Sequence, residues 1–268
     1  MKVYAGNDVR NVAVVGHGKS GKTTLVAGML YATGATTRLT RADEGNTLTD
    51  YDDEEIQRKM SISTGVAYVE WDKRKINLLD TPGFNIFLND TKAAMVAADA
   101  AIVIVDGVSG VEVSTEKVWS FASEFKQPRV LLVNKLDRER SDFGRAVESI
   151  HETFGRSAVA IQMPIGSEAS FKGVVDLLTM KAYTYEPDGD GKGRECEIPG
   201  ELADAAQTAH DELVEMIAEG KDELMEEFFE QGTLSPEAMI SGLRDAVQEQ
   251  RLYPILCAAA LHNIGTDR

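Results

Sequence analysis

Short apolar runs alternate with longer stretches of helical periodicity along the first 160 residues. Four runs rich in β-branched residues have the length of fully buried strands, and they lie at residues 12–15, 76–79, 101–105 and 130–133. Stretches with apolar residues at helical spacing lie between or after them, at residues 23–32, 87–98, 114–125 and 142–154. This alternation predicts a parallel sheet covered by helices on both faces.

The segment VAYVEWDKRKINLL, residues 66–79, departs from this alternation. Two strand-like runs flank a polar turn that is too short to hold a helix, which predicts an antiparallel hairpin joined to the sheet. The predicted fold class is therefore α/β, with a mixed, mostly parallel sheet.

The pattern changes beyond residue 165. The Gly- and Asp-rich stretch EPDGDGKGRE, residues 186–195, is unsuited to the interior of a strand or helix and predicts an exposed loop. Residues 201–219 and 222–230 are acidic with a helical period, and Ser235 followed by Pro236 predicts the N-cap and first turn of a third helix. These segments predict an inserted unit rich in helices.

The run LYPILCAAAL, residues 252–261, restores the pattern of a buried strand. We therefore expect the chain to return to the first sheet. The end at Arg268 is abrupt, and we expect more protein to follow it.

Composition and charge narrow the class of protein. Hydrophobic residues make up 43% and charged residues 27% of the 268 positions, as in ordinary globular domains. No apolar run approaches the ~20 residues that span a bilayer, and the N-terminus lacks the apolar core of a signal peptide. We therefore expect a cytoplasmic protein without a membrane partner. The net charge of −16 argues against a nucleic-acid-binding patch on this chain.

The stretch GHGKSGKT, residues 16–23, fits the phosphate-binding pattern GxxxxGK[ST]. It lies directly after a predicted strand and opens a predicted helix, where its backbone N–H groups can surround phosphates. Gly16, Gly18 and Gly21 permit close approach, Lys22 can bridge the β- and γ-phosphates, and Thr23 can place its hydroxyl on Mg²⁺. The pattern alone also occurs by chance in unrelated chains.

The stretch NKLD, residues 134–137, follows another predicted strand and so shares the same edge of the sheet. The Asp137 carboxylate can accept hydrogen bonds from the N1–H and 2-amino groups of guanine, a donor pair that adenine lacks. Alone, the tetrapeptide could be a helix-capping loop. Together with the phosphate loop it favours guanine over adenine. An unrelated P-loop ATPase is therefore disfavoured, and stronger binding of ATP than of GTP would support that alternative.

The turn DTPG, residues 80–83, completes the set. Asp80 can hold Mg²⁺ through water, and the Gly83 N–H can contact the γ-phosphate and sense its presence. A simple turn is the alternative, but the order and spacing of the three motifs favour the nucleotide site.

These motifs resemble the translational GTPases, and most closely elongation factor G. The segments GHGKSGKTT, RKMSIS, DTPG, NKLDRERSDF and QMPIGSEASFKGVVDLLTMKAY occur in the order found in that family. The resemblance implies a P-loop GTPase domain at residues 1–160 and 250–268, an α+β insert subdomain at residues 161–249, and further C-terminal domains that this fragment lacks.

The resemblance also implies that GTP or GDP binds together with Mg²⁺. The expected nucleotide contacts are His17, Gly18, Lys19, Ser20, Gly21, Lys22, Thr23, Thr24, Asp80, Gly83, Asn134, Lys135, Asp137, Ala259, Ala260 and Leu261. The expected Mg²⁺ ligands are Thr23, Ser61 and, through water, Asp80.

Several residues near the phosphates depart from the family pattern. Lys19 stands where the family has Asp, and Ser61 replaces a Mg²⁺-binding Thr, whose hydroxyl it can supply. Ala259 and Ala260 stand in place of a Ser-Ala pair beneath guanine, where a backbone N–H can still read the base. Such departures indicate a divergent relative of elongation factor G.

Phe84 is the most consequential departure, because the family places its catalytic histidine there to orient the attacking water. A phenyl ring cannot do this, and several kcal/mol of transition-state stabilisation could be lost. Lys22 and Gly83 would remain in the catalytic centre. Lys19 could add positive charge at the β–γ bridge, or it could point to solvent and tune nucleotide affinity only.

Two functional hypotheses follow. The protein is a translation factor that couples GTP binding and hydrolysis to a ribosomal step, translocation or recycling, or it is a GTP/GDP-dependent ribosome-binding switch with little hydrolysis. The family implies the ribosome as partner and a monomeric protein. The acidic insert could dock on the ribosomal stalk protein, or it could be a solvated helix surface.

Overall fold

The computed structural model describes residues 2–268, which form two sheets. Met1, which belongs to the predicted GTPase domain, lies outside the described residues. The strands of the larger sheet run in the order β2-β3-β1-β4-β5-β11-β6. They are β1 (Val9–Gly16), β2 (Gly65–Trp71), β3 (Arg74–Asp80), β4 (Ala100–Asp106), β5 (Arg129–Asn134), β6 (Ala158–Ala160) and β11 (Tyr253–Cys257). All neighbours are parallel except β2 and β3, which form the predicted antiparallel hairpin. The mixed, mostly parallel sheet is confirmed.

The helices of this part follow the predicted periodicity, except for the short α2, which was not predicted. They are α1 (Lys22–Ala32), α2 (Asp53–Arg58), α3 (Leu88–Ala97), α4 (Val113–Glu124) and α5 (Phe143–Phe154). Alternate residues of each central strand enter different cores, because side chains on a strand point to opposite faces in turn. Val103 and Val105 pack with α3, α4 and α5, whereas Ile104 packs with α1 on the other face. Helices therefore cover both faces, as predicted.

The second unit combines a sheet with three helices. Its antiparallel strands run in the order β10-β9-β8-β7. The elements are β7 (Gln162–Ile165), β8 (Gly173–Asp176), β9 (Lys181–Thr184), β10 (Arg194–Cys196), α6 (Gly200–Ala218), α7 (Asp222–Gln231) and α8 (Pro236–Gln248). The Ser235 hydroxyl accepts a hydrogen bond from the Ala238 N–H at 3.4 Å, so the predicted N-cap of the third helix is confirmed.

Two local predictions are wrong. Strand β11 ends at Cys257 instead of continuing to residue 261, because the chain turns back and the Ala259 N–H donates to the Ile264 carbonyl at 3.0 Å. Arg194, predicted to lie in a loop, begins the exposed edge strand β10 paired with β9. The chain passes from β6, an edge strand of the large sheet, directly into β7, an edge strand of the small sheet.

No helix within residues 2–268 is both long and apolar enough to cross a membrane.

Candidate functional site

The phosphate loop connects the end of β1 to the start of α1. Gly21 precedes the helix with φ +101°, a conformation that residues with a side chain rarely adopt. A Cβ at this position would lie 2.3 Å from Asn134 Nδ2, so the loop needs glycine there for space as well. The His17 ring supports the loop from the side, since its Nδ1 lies 3.4 Å from the Ser114 N–H at the start of α4.

Lys22 is a buried cation inside this loop. Its Nζ donates to the His17 carbonyl at 2.8 Å and to the Gly16 carbonyl at 3.3 Å. Burial lowers the pKa of Lys22 to about 8, and the nearby Asp80 and Asp50 carboxylates oppose that shift. Neutral carbonyls compensate a buried ammonium only in part, so an anionic phosphate would be a stronger partner.

The turn after β3 lies directly against the phosphate loop. A Cβ on Gly83 would lie 2.2 Å from Lys22 Nζ and 2.7 Å from the Gly18 N, so only glycine fits at this close approach. The Gly83 backbone is therefore within reach of a group bound by the phosphate loop. The predicted meeting of these two motifs is present in the structure.

Three oxygen-bearing side chains expected to serve Mg²⁺ come together beside Lys22. Thr23 Oγ1 lies 3.2 Å from Ser61 Oγ, which in turn donates to Asp50 Oδ1 at 2.8 Å. Asp80 Oδ2 accepts from Thr49 Oγ1 at 2.6 Å, while Asp80 Oδ1 is buried without a partner among the described residues.

This oxygen-rich set fits a hard divalent cation, which binds carboxylate, hydroxyl and water oxygens. Burial raises the pKa of Asp80 to about 6, against the opposing hydrogen bond from Thr49. A cation with its water shell would supply the charge and the donors that the unpartnered Asp80 oxygen lacks. Asp50, whose pKa is also raised by burial, is a member of this cluster that the sequence did not reveal.

Phe84 lies over the phosphate loop. A Cβ built on Gly18 would lie 2.9 Å from the Phe84 Cε1 and Cζ atoms, so the ring packs against a residue that carries no side chain. Lys19 lies next to Gly18, exposed, with φ +66°. Phe84 and Lys19 thus both lie beside Gly18 of the phosphate loop.

The NKLD segment connects the phosphate loop to the loop after β11. Asn134 Nδ2 donates to the Ser20 carbonyl at 2.9 Å, and Asn134 Oδ1 accepts from the Ala260 N–H at 3.0 Å. Lys135 Nζ donates to Asp106 Oδ2 at 2.6 Å. Within the described residues, the buried Asp137 Oδ1 has no partner. Asn134 therefore positions the loops, and Asp137 carries a free acceptor.

These groups surround a cavity of about 410 Å³, a size suited to a small-molecule ligand. The predicted site residues that line it are Gly18, Lys19, Gly21, Lys22, Thr23, Thr24, Ser61, Gly83, Phe84, Lys135 and Leu261. The predicted residues outside this lining are His17, Ser20, Asp80, Asn134, Asp137, Ala259 and Ala260. The N–H groups of Ala259 and Ala260 bond within the protein, so these two residues shape the loop.

A family model described as the elongation factor Tu GTP binding domain matches residues 7–268. The chain belongs to this family. A crystal structure of a protein from Thermus thermophilus superimposes with a TM-score of 0.90 at 36% sequence identity. The match covers 97% of this chain and 39% of the Thermus chain, so this GTP-binding domain spans well under half the length of that relative.

Membership in the family makes GTP or GDP the expected ligand of this chain. Within residues 2–268, five cationic and two acidic side chains line the cavity, although the chain as a whole is strongly acidic. The cationic ones are Lys19, Lys22, Lys59, Lys135 and Arg138, and the acidic ones are Asp43 and Asp50. Concentrated positive charge in a cleft attracts a polyphosphate. Lys59 and Arg138 were not predicted as site residues, because nothing in their spacing links them to the phosphate motifs.

Proposed function

We propose that this GTP-binding domain is part of a translation factor resembling elongation factor G, a divergent member of that group. It would couple GTP binding and hydrolysis to a ribosomal step, translocation or recycling. One observation carries the proposal: the phosphate loop, the Asp80–Gly83 turn and the NKLD segment meet around one cationic cavity at the carboxyl ends of parallel strands.

Each group has a defined task in this proposal. Lys22 and the loop amides bind the β- and γ-phosphates, and Gly83 senses the γ-phosphate. Thr23 and Ser61, with Asp80 through water, hold Mg²⁺, which when bound neutralises phosphate charge. Asp137 reads guanine, while Asn134 fixes the loops around it.

A second candidate is a switch that binds GTP or GDP on the ribosome and hydrolyses GTP slowly. The packing of Phe84 on Gly18 favours it, because an apolar ring beside the phosphate loop offers the attacking water no hydrogen bond. Lys19 is the residue that could compensate for the missing histidine. Its exposed position equally fits a role in nucleotide affinity alone.

GTP turnover with and without ribosomes separates the two candidates, using wild type, Phe84→His and Phe84→Leu. Ribosome-stimulated turnover in the wild type supports the GTPase and would sink the slow-hydrolysis switch. Turnover restricted to Phe84→His, about 100-fold above wild type, supports the switch; Phe84→Leu is the apolar control. Stronger binding of ATP than of GTP would contradict both.

We further propose a monomeric, cytoplasmic protein with the ribosome as its partner. The acidic helices α6 and α7 could contact the ribosomal stalk protein, and the alternative is that they form a solvated surface.

A further inference from the structure

The loop at residues 186–193, here called the insert loop, docks on the loop after β11 that borders the nucleotide cavity. The Asp188 N–H donates to the His262 carbonyl at 3.0 Å, and Asn263 Nδ2 donates to the Gly189 carbonyl at 3.2 Å. A Cβ on Gly191 would lie 2.4 Å from Asn263 Nδ2, so the two loops are in close contact. The loop is largely exposed, as the sequence predicts, but its Gly191 is buried at the contact with the loop after β11.

The far end of the insert loop is held as well. Asp267 accepts from the Tyr185 hydroxyl at 2.7 Å and from the Gly193 N–H at 3.0 Å. Fixing both ends reduces the freedom of the loop, so Asp188 occupies a defined place beside His262.

His262 lies between two carboxylates. Its Nδ1 is 3.1 Å from Asp188 Oδ1, and its Nε2 is 3.6 Å from Asp137 Oδ2. Arg41 Nη2 donates to the same Asp188 oxygen at 2.9 Å. Basic and acidic side chains therefore alternate along a row from Arg41 through Asp188 and His262 to Asp137, the residue expected to read guanine.

The arrangement leaves Asp137 with one side engaged and one side free. His262 lies at Oδ2, while the buried Oδ1 has no partner within residues 2–268. Each carboxylate oxygen has two lone pairs, so Oδ2 can still accept from a base with the His262 ring beside it. A carboxylate that is already oriented loses less freedom when it binds a donor pair.

We propose that His262, held by Asp188 of the insert loop, is a positioning residue that orients Asp137 for guanine. The insert would thereby contribute to base selectivity, although it lies outside the nucleotide motifs. This inference rests on the proposed guanine-nucleotide binding and specifies how the base is selected.

Affinities for GDP and IDP test the role of His262, because hypoxanthine lacks the 2-amino group that Asp137 would read. We expect His262→Ala to weaken GDP binding about tenfold, because the Asp137 carboxylate loses the neighbouring ring that restrains its orientation, and IDP binding less. The ratio of the affinity for GDP to the affinity for IDP should therefore fall. A purely structural defect would weaken both nucleotides equally.

Asp188→Asn should change the preference in the same direction. The matched control is Asp190→Asn in the same loop, which should behave as wild type. Among the described residues, the partner of its carboxylate is the Lys192 N–H of its own turn. If His262→Ala does not unfold cooperatively, the GDP and IDP affinities of Asp188→Asn decide whether the positioning role holds.

An unchanged GDP-to-IDP preference in both variants overturns the positioning role while leaving GTP binding intact. A change in His262→Ala with none in Asp188→Asn removes the insert loop from the proposal. Wild-type protein that binds neither GDP nor GTP would overturn the proposed function and this inference with it.

Discussion

Buried polar side chains gather around the nucleotide cavity. Lys22, Asp80 and Asn134 are 6% exposed or less, although their polar groups would be well solvated in water. Burying such groups is unfavourable unless they find partners. Asn134 finds its partners within the protein, whereas Asp80 and Asp137 each keep an unpartnered oxygen among the described residues. The carboxylates of Asp80 and Asp137 are therefore the buried groups that a bound ligand would stabilise most.

The ion pair between Lys135 and Asp106 supports a prediction about pH. Burial alone would raise the pKa of Asp106, but Lys135 and two backbone N–H groups bring it below the usual 3.8. The ionised carboxylate therefore stabilises the fold above pH 3.8, and this contribution is lost as the pH falls through the lower folded-state pKa.

We expect Asp106→Asn to lower the free energy of unfolding by about 2 kcal/mol at pH 7. The gap to wild type should close as the pH falls below 3.8. Urea denaturation from pH 7 to pH 3 measures both quantities, with Asp204→Asn on the exposed face of α6 as the control. A gap that is independent of pH would contradict the assigned role of the ion pair.

At the scale of elements, the segment at residues 50–63 folds over the cavity around one buried carboxylate. Glu55, 1% exposed, accepts from the Ile62 N–H at 2.8 Å and from the Ser63 N–H at 3.1 Å. It also completes the capping box of α2 with Asp52. Glu55 therefore holds Ser61 near Thr23, which brings together the two hydroxyls proposed to bind Mg²⁺.

Glu55→Ala should loosen this segment. Removing a buried acceptor leaves the Ile62 and Ser63 N–H groups unpaired, so their hydrogen exchange should accelerate by about tenfold or more. GDP should also dissociate faster. Glu54→Ala is the matched control, because Glu54 pairs with Arg58 on the exposed face of the same helix. Equal exchange rates in the two variants would show that Glu55 does not order the segment.

At the scale of the whole molecule, the two sheets share one core. Phe171 and Val174, from the insert, pack in the same apolar cluster as Ile255 of β11 and Val133 of β5. The Cys257 N–H of β11 also donates to Gln162 Oε1 of β7 at 3.1 Å. The insert is thus continuous with the packing beneath the nucleotide site.

Val174→Ala should therefore destabilise both parts together. The side chain is fully buried, so its truncation should cost about 2 kcal/mol. Tryptophan fluorescence and far-UV circular dichroism should report one coincident transition that shifts to lower urea concentration. Val66→Ala, at a position 67% exposed, should leave stability nearly unchanged. A variant with two separate transitions would show that the parts unfold independently.

Local pattern was sufficient for the central strands, the helices beside them and the phosphate loop. β1, β4 and β5 are continuous apolar runs, and the glycines and lysine of the phosphate loop follow β1 directly. Such features depend on residues close together in the chain, where periodicity and turn chemistry are informative. The sequence by itself thus determined the fold class, the insert's helices and the nucleotide motifs.

Contacts between distant segments were decided only by the tertiary structure. The end of β11 lies inside an apolar run, and contacts made by the folded chain decide where the strand stops. Nothing near Asp50 in the sequence marks it as a site residue, and only the fold brings Ser61 beside it. The contact of Asp188 with His262 joins residues 74 positions apart. An acidic, glycine-rich loop has the same local pattern whether it is solvated or docked. The residues that it contacts are brought to it by the fold and are not its neighbours in the chain.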